Sequence, residues 1–248
     1  MSRTRRIPSD AAHGREVSAR PAAKVRLMRA TMRLAVFCGP SLPPCDRIEH
    51  ERVDYLLPAS RGDVERAARE YDAILLIDGV FHHDLAPSPK ECYRAAQHVR
   101  MSGASSMGAL RAAECWPYGL LPLGIIARWY MREVIDGDDE VAVLTHPQTN
   151  AAVTVPSVNV RYVAELARRR KILSRNEAIT LVADSRAVFY MDRSWDDVID
   201  ATPLHAREAV ERIAKNEGDL KRWDARFALR RAMRNIGLPA LLHQEGLG

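Results

Sequence analysis

Two adjacent serines, Ser105 and Ser106, have the types and spacing best suited to chemistry, in the run Gly-Ala-Ser-Ser-Met-Gly at 103–108. Small residues at Gly103, Ala104 and Gly108 let a ligand approach the backbone closely. The run passes directly into an alanine-rich helix, whose first amides lack intrahelical partners and suit an anion. The stretch 104–108 is one small residue away from the G-x-S-x-G turn that presents a nucleophilic serine. The competing role for either serine is a plain helix cap.

Other chemistry-bearing residues are scattered along the chain. Asp78 precedes Gly79 at the end of an apolar run, a good place for a reactive carboxylate. Asp138, Asp139 and Glu140 form an acidic block that reads either as a solvated turn or as proton carriers; adjacent carboxylates are poor metal geometry compared with spaced loops. His146 follows that block and is the candidate base, with a structural role as the alternative. Arg61 and Lys90 are candidates to steer a carboxylate, whereas Asp63 and Glu91 read as helix caps. Arg111 lies three residues before Glu114, so it either pairs along the helix or turns to the crevice. The four cysteines, at 38, 45, 92 and 115, have no CxxC spacing, so neither zinc nor a redox pair is expected.

The elements that must position these residues follow from the pattern of apolar runs. Strands are expected at 34–38, 53–57, 73–77 and near Val99, with helices at 63–71 (capped by Asp63), from the Ser88–Glu91 capping box to Gln97, and at 107–115. Strands alternating with helices imply an α/β fold with an open parallel sheet of Rossmann-like βα units. Beyond Asn159 the chain reads as helical: 159–171, a segment from the Ser174/Glu177 capping box to about Tyr190, another opening at Thr202-Pro203, and a last helix stopping at Gly237. The expected organisation is a basic tail at 1–30, an α/β core at 31–158 and a helical appendage at 159–248. The segments 39–41, 58–63, 78–81 and 103–108 each follow a strand, so they converge on one edge of the sheet, where such folds bind ligands.

Composition narrows the classes. The net charge is +5, yet residues 1–30 hold eight Lys or Arg against Asp10 and Glu16, which leaves the remainder near −1. The basicity belongs to the tail, so nucleic acid is not the expected partner of the folded body. No apolar run reaches the ~18 residues of a membrane span, and no secretory signal is expected at the N-terminus. A reduced, cytoplasmic protein without metal or cofactor is the expectation. A dinucleotide enzyme is disfavoured because Gly39-Pro40-Ser41-Leu42-Pro43, and not G-x-G-x-x-G, follows the first strand.

The run 103–114 (GASSMGALRAAE), together with VFCGPSLP at 36–43, PASRGDV at 58–64, LIDGVF at 76–81, the Lys90-Glu91 pair and VIDGDDEVAV at 134–143, resembles the TfuA-like family. The blocks come in the family's order and span 36–161, with a weaker continuation to 190. TfuA-like proteins are partners of YcaO enzymes, which use ATP to modify peptide backbones. The resemblance implies release of sulfide from a thiocarboxylated ubiquitin-like sulfur carrier, to supply a YcaO enzyme that thioamidates a precursor peptide. Its alternative is a non-catalytic scaffold that docks the YcaO enzyme and its carrier or peptide.

Under the catalytic reading the step is acyl transfer. Ser106 is the first candidate nucleophile, with Ser105 or a water as alternates, and the amides of Met107 and Gly108 supply oxyanion donors. Asp78 and His146 complete the candidate catalytic set. Gly39, Ser41, Arg61, Lys90, Arg111, Asp139, Glu140, Asn159 and Arg161 form the implied substrate-binding set. Residues 131–133 depart from the family, which carries a glycine near that turn, and Cys38 occupies a variable position where a persulfide is a minor further role.

Overall fold

The computed structural model describes residues 32–81 and 84–238; the basic tail lies outside them. Five short strands, β1 (Leu34–Phe37), β2 (Val53–Leu56), β3 (Ala73–Leu76), β4 (Arg100–Gly103) and β5 (Leu121–Pro122), form a sheet of order β2-β1-β3-β4-β5. Every neighbouring pair is parallel. The central strands β1 and β3 are buried at every position, as their uninterrupted apolar runs require of a sheet covered on both faces.

Alternate residues of these strands face different helices. Ala35, Phe37, Ile74 and Leu76 pack on α1 (Asp63–Glu70), α2 (Pro89–Ala96) and α3 (Met107–Cys115). Leu34, Val36, Leu75 and Ile77 pack instead on the last helix, α9 (Leu220–Asn235), through Ala225, Ala228, Leu229 and Met233. Between these layers in sequence come α4 (Gly124–Met131), α5 (Ser157–Arg169), α6 (Arg175–Ala187), α7 (Trp195–Ala201) and α8 (Arg207–Glu217). Helices α5 to α8 share an apolar cluster of their own, centred on Val163, Leu181 and Val210. The chain therefore leaves the sheet, builds a helical cluster, and returns with α9 to cover one sheet face.

The α/β class and parallel sheet follow the sequence pattern, and the Ser174/Glu177 capping box is present. Several local expectations are corrected. Asp63 does not cap α1: Gly62 holds the cap position at φ +89°. The free amides there are met from another element, since Glu91 Oε1 accepts from Gly62 N and Val64 N at 2.9 and 3.0 Å. Glu91 thus caps a neighbouring helix, while its own amide donates to Ser88 Oγ at 3.2 Å. The strand β5 and helix α4 were not foreseen, nor was α7 with its Ser194/Asp197 capping box. Thr202 ends α7 where a new helix start was expected.

No helix among the described residues is long and apolar enough to cross a membrane.

Candidate functional site

The strand order reverses direction between β1 and β3, and loops leaving the two strands at that point form a crevice in open α/β sheets. Here the two loops are tied together by one carboxylate. Asp78, at the end of β3, accepts from Gly39 N (2.7 Å), Ser41 N (3.1 Å) and Ser41 Oγ (2.7 Å). A parallel bridge between Ala59 and Gly79 brings the loop after β2 to the same edge. The convergence expected of the segments after the strands is what the structure has. Asp78 itself anchors the β1 loop through these three hydrogen bonds.

The turn from β4 into α3 is built for close approach. A Cβ at Gly108 would lie 1.8 Å from Leu76 O, and one at Gly103 would lie 2.2 Å from Gly108 O, so both positions must be glycine. Ser105 bridges them in the left-handed region at φ +66°, a conformation a serine adopts only where the surroundings enforce it. Its hydroxyl donates to the backbone carbonyl of Lys221 at 2.8 Å. Ser106 follows at the first position before α3, but its side chain caps no helical amide. Of the two oxyanion donors expected from the sequence, Gly108 is corrected: its amide is committed to Ile77 O at 3.0 Å. The amide of Met107 has no acceptor among the described residues.

Above the switch point lies a crevice of about 210 Å³, lined by Ser41, Val155, Asn159, Asp219 and Lys221 among others. Lys221, on α9, was not foreseen, because nothing in its local sequence separates it from the neighbouring arginines of an amphipathic helix. It is 4 % exposed, and its ammonium donates to Val141 O at 2.6 Å. Burial pushes its pKa below the ordinary lysine range, against the opposing pull of the Asp78 and Asp219 carboxylates. Its backbone is held as firmly: Lys221 N donates to Asn159 Oδ1 (3.2 Å), and Asn159 Nδ2 donates to Asp219 Oδ1 (3.3 Å).

Residues 78–194 match the family profile described as TfuA-like protein. That segment is similar to TfuA-like proteins. No curated protein matches it. The TfuA-like segment begins at Asp78 and contains the Ser105–Ser106 turn, Glu140, Asn159 and Arg161, whereas β1, β2 and Lys221 lie outside it. The family is associated with YcaO pathways.

The other residues singled out in the TfuA-like blocks divide by location. Glu140 is completely buried and takes Arg161 in a two-pronged pair at 2.9 and 2.6 Å, with Arg186 at 3.1 Å. This pair braces the backbone beside Val141, the acceptor of the Lys221 ammonium, and the two side chains meet each other there. Asp139 is only partly covered and does not line the crevice. His146 is exposed and does not line the crevice, and its Nδ1 accepts from Gln148 N and Thr149 N at 3.3 and 3.4 Å, which shapes a turn. Arg61 and Lys90 sit on the exposed loop and helix start flanking α1 and α2, away from the crevice lining. Arg111 holds Pro87 O at 2.7 Å and Glu114 at 2.7 Å, the intrahelical pairing and not the crevice-facing role.

Cys38 is buried against the sheet, and desolvation pushes its thiol up to about 11, which disfavours the reactive thiolate a persulfide carrier needs. Among the described residues, no group of three or more His, Cys, Asp or Glu side chains is arranged to hold a metal.

Proposed function

We propose that this protein releases sulfide from a thiocarboxylated carrier by acyl transfer at the β4–α3 turn, and that the sulfide supplies a YcaO enzyme for peptide backbone thioamidation. The observation that carries this reading is the Ser105–Ser106 turn. A strained serine at φ +66° sets the next hydroxyl at a helix entrance, and among the described residues that hydroxyl caps no helical amide and the following amide, of Met107, has no acceptor. A nucleophile and an oxyanion donor are what acyl transfer requires. Ser106 Oγ attacks the thiocarboxylate carbon, the C–S bond breaks with its electron pair on sulfur, and hydrosulfide leaves. Water then cleaves the seryl ester to give the carrier carboxylate and the free serine. Hydrosulfide is a good leaving group, so no strong acid is needed opposite it.

The experiment is sulfide release from a thiocarboxylated carrier protein, with the wild type and the Ser106→Ala variant. Release that disappears in the variant supports Ser106 as nucleophile. Release in both keeps the activity and gives the attack to water. No release by folded wild type overturns the catalytic reading in favour of a scaffold, which is then needed for thioamidation even when free sulfide is supplied.

A further inference from the structure

Helices α4, α5 and α6 border a furrow of about 470 Å³ that shares no lining residue with the crevice. Its two long walls belong to one helical hairpin, since α5 and α6 pack together and are joined by the short turn 170–174. Arg161, Ala164, Glu165 and Arg168 line it from α5. Arg175, Ala178, Ile179 and Val182 line it from α6. Both sets have the spacing i, i+3, i+4, i+7, so each is one continuous face of its helix.

The furrow combines three properties. Its floor is small: Ala164 and Ala178 are buried, and their single methyl groups let another element come close to the hairpin. Apolar groups stay uncovered beside that floor, with Ile179 57 % and Val134 50 % exposed. Val134 is fixed next to the half-buried Trp129, to whose carbonyl its amide donates at 2.9 Å. The charge, finally, is one-sided, because Arg161, Arg168, Arg169 and Arg175 line the furrow against Glu165.

Little of that positive charge is spent within the fold. Glu140 takes Arg161, while Arg168 and Arg169 divide Glu165 between them at 2.7 Å each. Arg175 has no ion pair among the described residues, although it opens α6, where the helix dipole disfavours a cation. The acidic residue of the same turn, Glu177, is held in the capping box and faces His205. In a hairpin the end of α5 adjoins the start of α6, so Arg168, Arg169 and Arg175 gather at one end of the furrow.

We propose that this furrow is the docking site for an acidic amphipathic helix of a partner protein. Each lining face spans two turns, about 10 Å, so the occupant is a helix of comparable length. Its apolar stripe covers Ile179, Val134 and the alanine floor, and its carboxylates meet the arginine end. Apolar anchors supply affinity in such a helix-in-groove contact, and the rim charges set orientation and partner choice. A nucleic acid would use the arginines but would leave the exposed aliphatic side chains against phosphate and sugar. A second copy of this chain in a symmetric contact would bring like charges face to face. The proposal is independent of the acyl-transfer reading, since no residue of the serine turn lines the furrow.

The test is fluorescence anisotropy of the full-length protein at low salt, with a fluorescein-labelled peptide of about 14 residues. The peptide carries leucine at i, i+3, i+4 and i+7 and glutamate on its other face. The comparisons are the same peptide with lysine for glutamate, and a labelled single-stranded deoxythymidine oligonucleotide. The glutamate peptide is expected to bind at least about tenfold tighter than either, to weaken with added salt, and to slow hydrogen exchange within 161–182. Arg175→Glu and Ile179→Ser should each weaken it by about tenfold. Both positions are exposed, and a glutamate suits the start of a helix, so melting temperatures should stay close to wild type. Arg212→Glu, on α8 and outside the furrow, should change binding by less than about twofold. Equal binding of the lysine peptide, protection elsewhere, or folded variants that bind like wild type overturn the proposal. An oligonucleotide that binds tighter, and is lost in Arg175→Glu, overturns it in favour of nucleic acid. A dimer in size-exclusion chromatography that Ile179→Ser dissociates overturns it in favour of a second copy.

Discussion

The hydroxyl of Ser105 donates to the carbonyl of Lys221 across 116 positions of sequence, at 2.8 Å and with no exposure of the serine. That bond joins the β4–α3 turn to the helix that returns last to the sheet, and it separates the two serines by role. Ser105→Ala removes a buried hydrogen bond and should cost about 1 kcal/mol of stability, with a partial fall in sulfide release as α9 loosens. Ser106→Ala removes the hydroxyl of a buried serine that caps no helical amide and should cost less stability than Ser105→Ala, while release is lost. Denaturant melts paired with the sulfide assay check both, and equal destabilisation by the two variants contradicts the assignment.

Asp224 predicts a pH dependence. It is completely buried on α9 and accepts from Ile125 N and Ile126 N at 2.7 and 2.9 Å, capping α4 from a distance, and Gly124 at φ +86° makes room for its carboxylate. Desolvation, only partly offset by those amides, raises its pKa to about 6. An acid raised in the fold stabilises it below the unfolded value of 3.8 and loses that contribution as pH climbs through about 6. The stability advantage of wild type over Asp224→Asn should therefore be largest near pH 4 and shrink by up to about 3 kcal/mol by pH 7. Melting curves of both proteins across that range test it; a gap that widens with pH has the wrong sign.

The cysteines should differ sharply in reactivity. Cys45 is exposed, while Cys38, Cys92 and Cys115 are buried with their thiols raised by desolvation. Native protein treated with iodoacetamide at pH 7.5 should take up label at Cys45 alone, and all four positions should react in denaturant. Fast modification of Cys38 in the native state would reopen its role as a sulfur carrier.

Glu133 occupies the turn where TfuA-like relatives are expected to carry glycine, and it is held at φ +55°. An L-residue in the left-handed region is strained by roughly 1–2 kcal/mol, whereas glycine is not but loses more backbone entropy. Glu133→Gly should thus stabilise the protein by about 0.5 kcal/mol, raising its melting temperature without altering sulfide release. Destabilisation would mean that the glutamate side chain supplies a contact that outweighs the strain.

Much of this architecture is already written in local pattern. The buried runs at β1 and β3, the capping residues of α6, and the glycines of the 103–108 turn each express a constraint set within a few residues. That is why the α/β class, the parallel sheet and the convergence of Gly39, Asp78 and Ser105 on one edge are legible from the sequence. What a given polar side chain does at that edge is settled by partners far along the chain. Glu91 reads as a local cap until α1 lies beside it, and Glu140 reads as a solvated turn until Arg161 and Arg186 enclose it. Lys221 has no local signature at all, since its burial arises only when α9 folds back over the sheet and meets Asn159 and Val141. Spacing fixes which residues share a helix face or a strand edge, but desolvation and long-range pairing decide which of them carry charge, and those exist only in the tertiary structure.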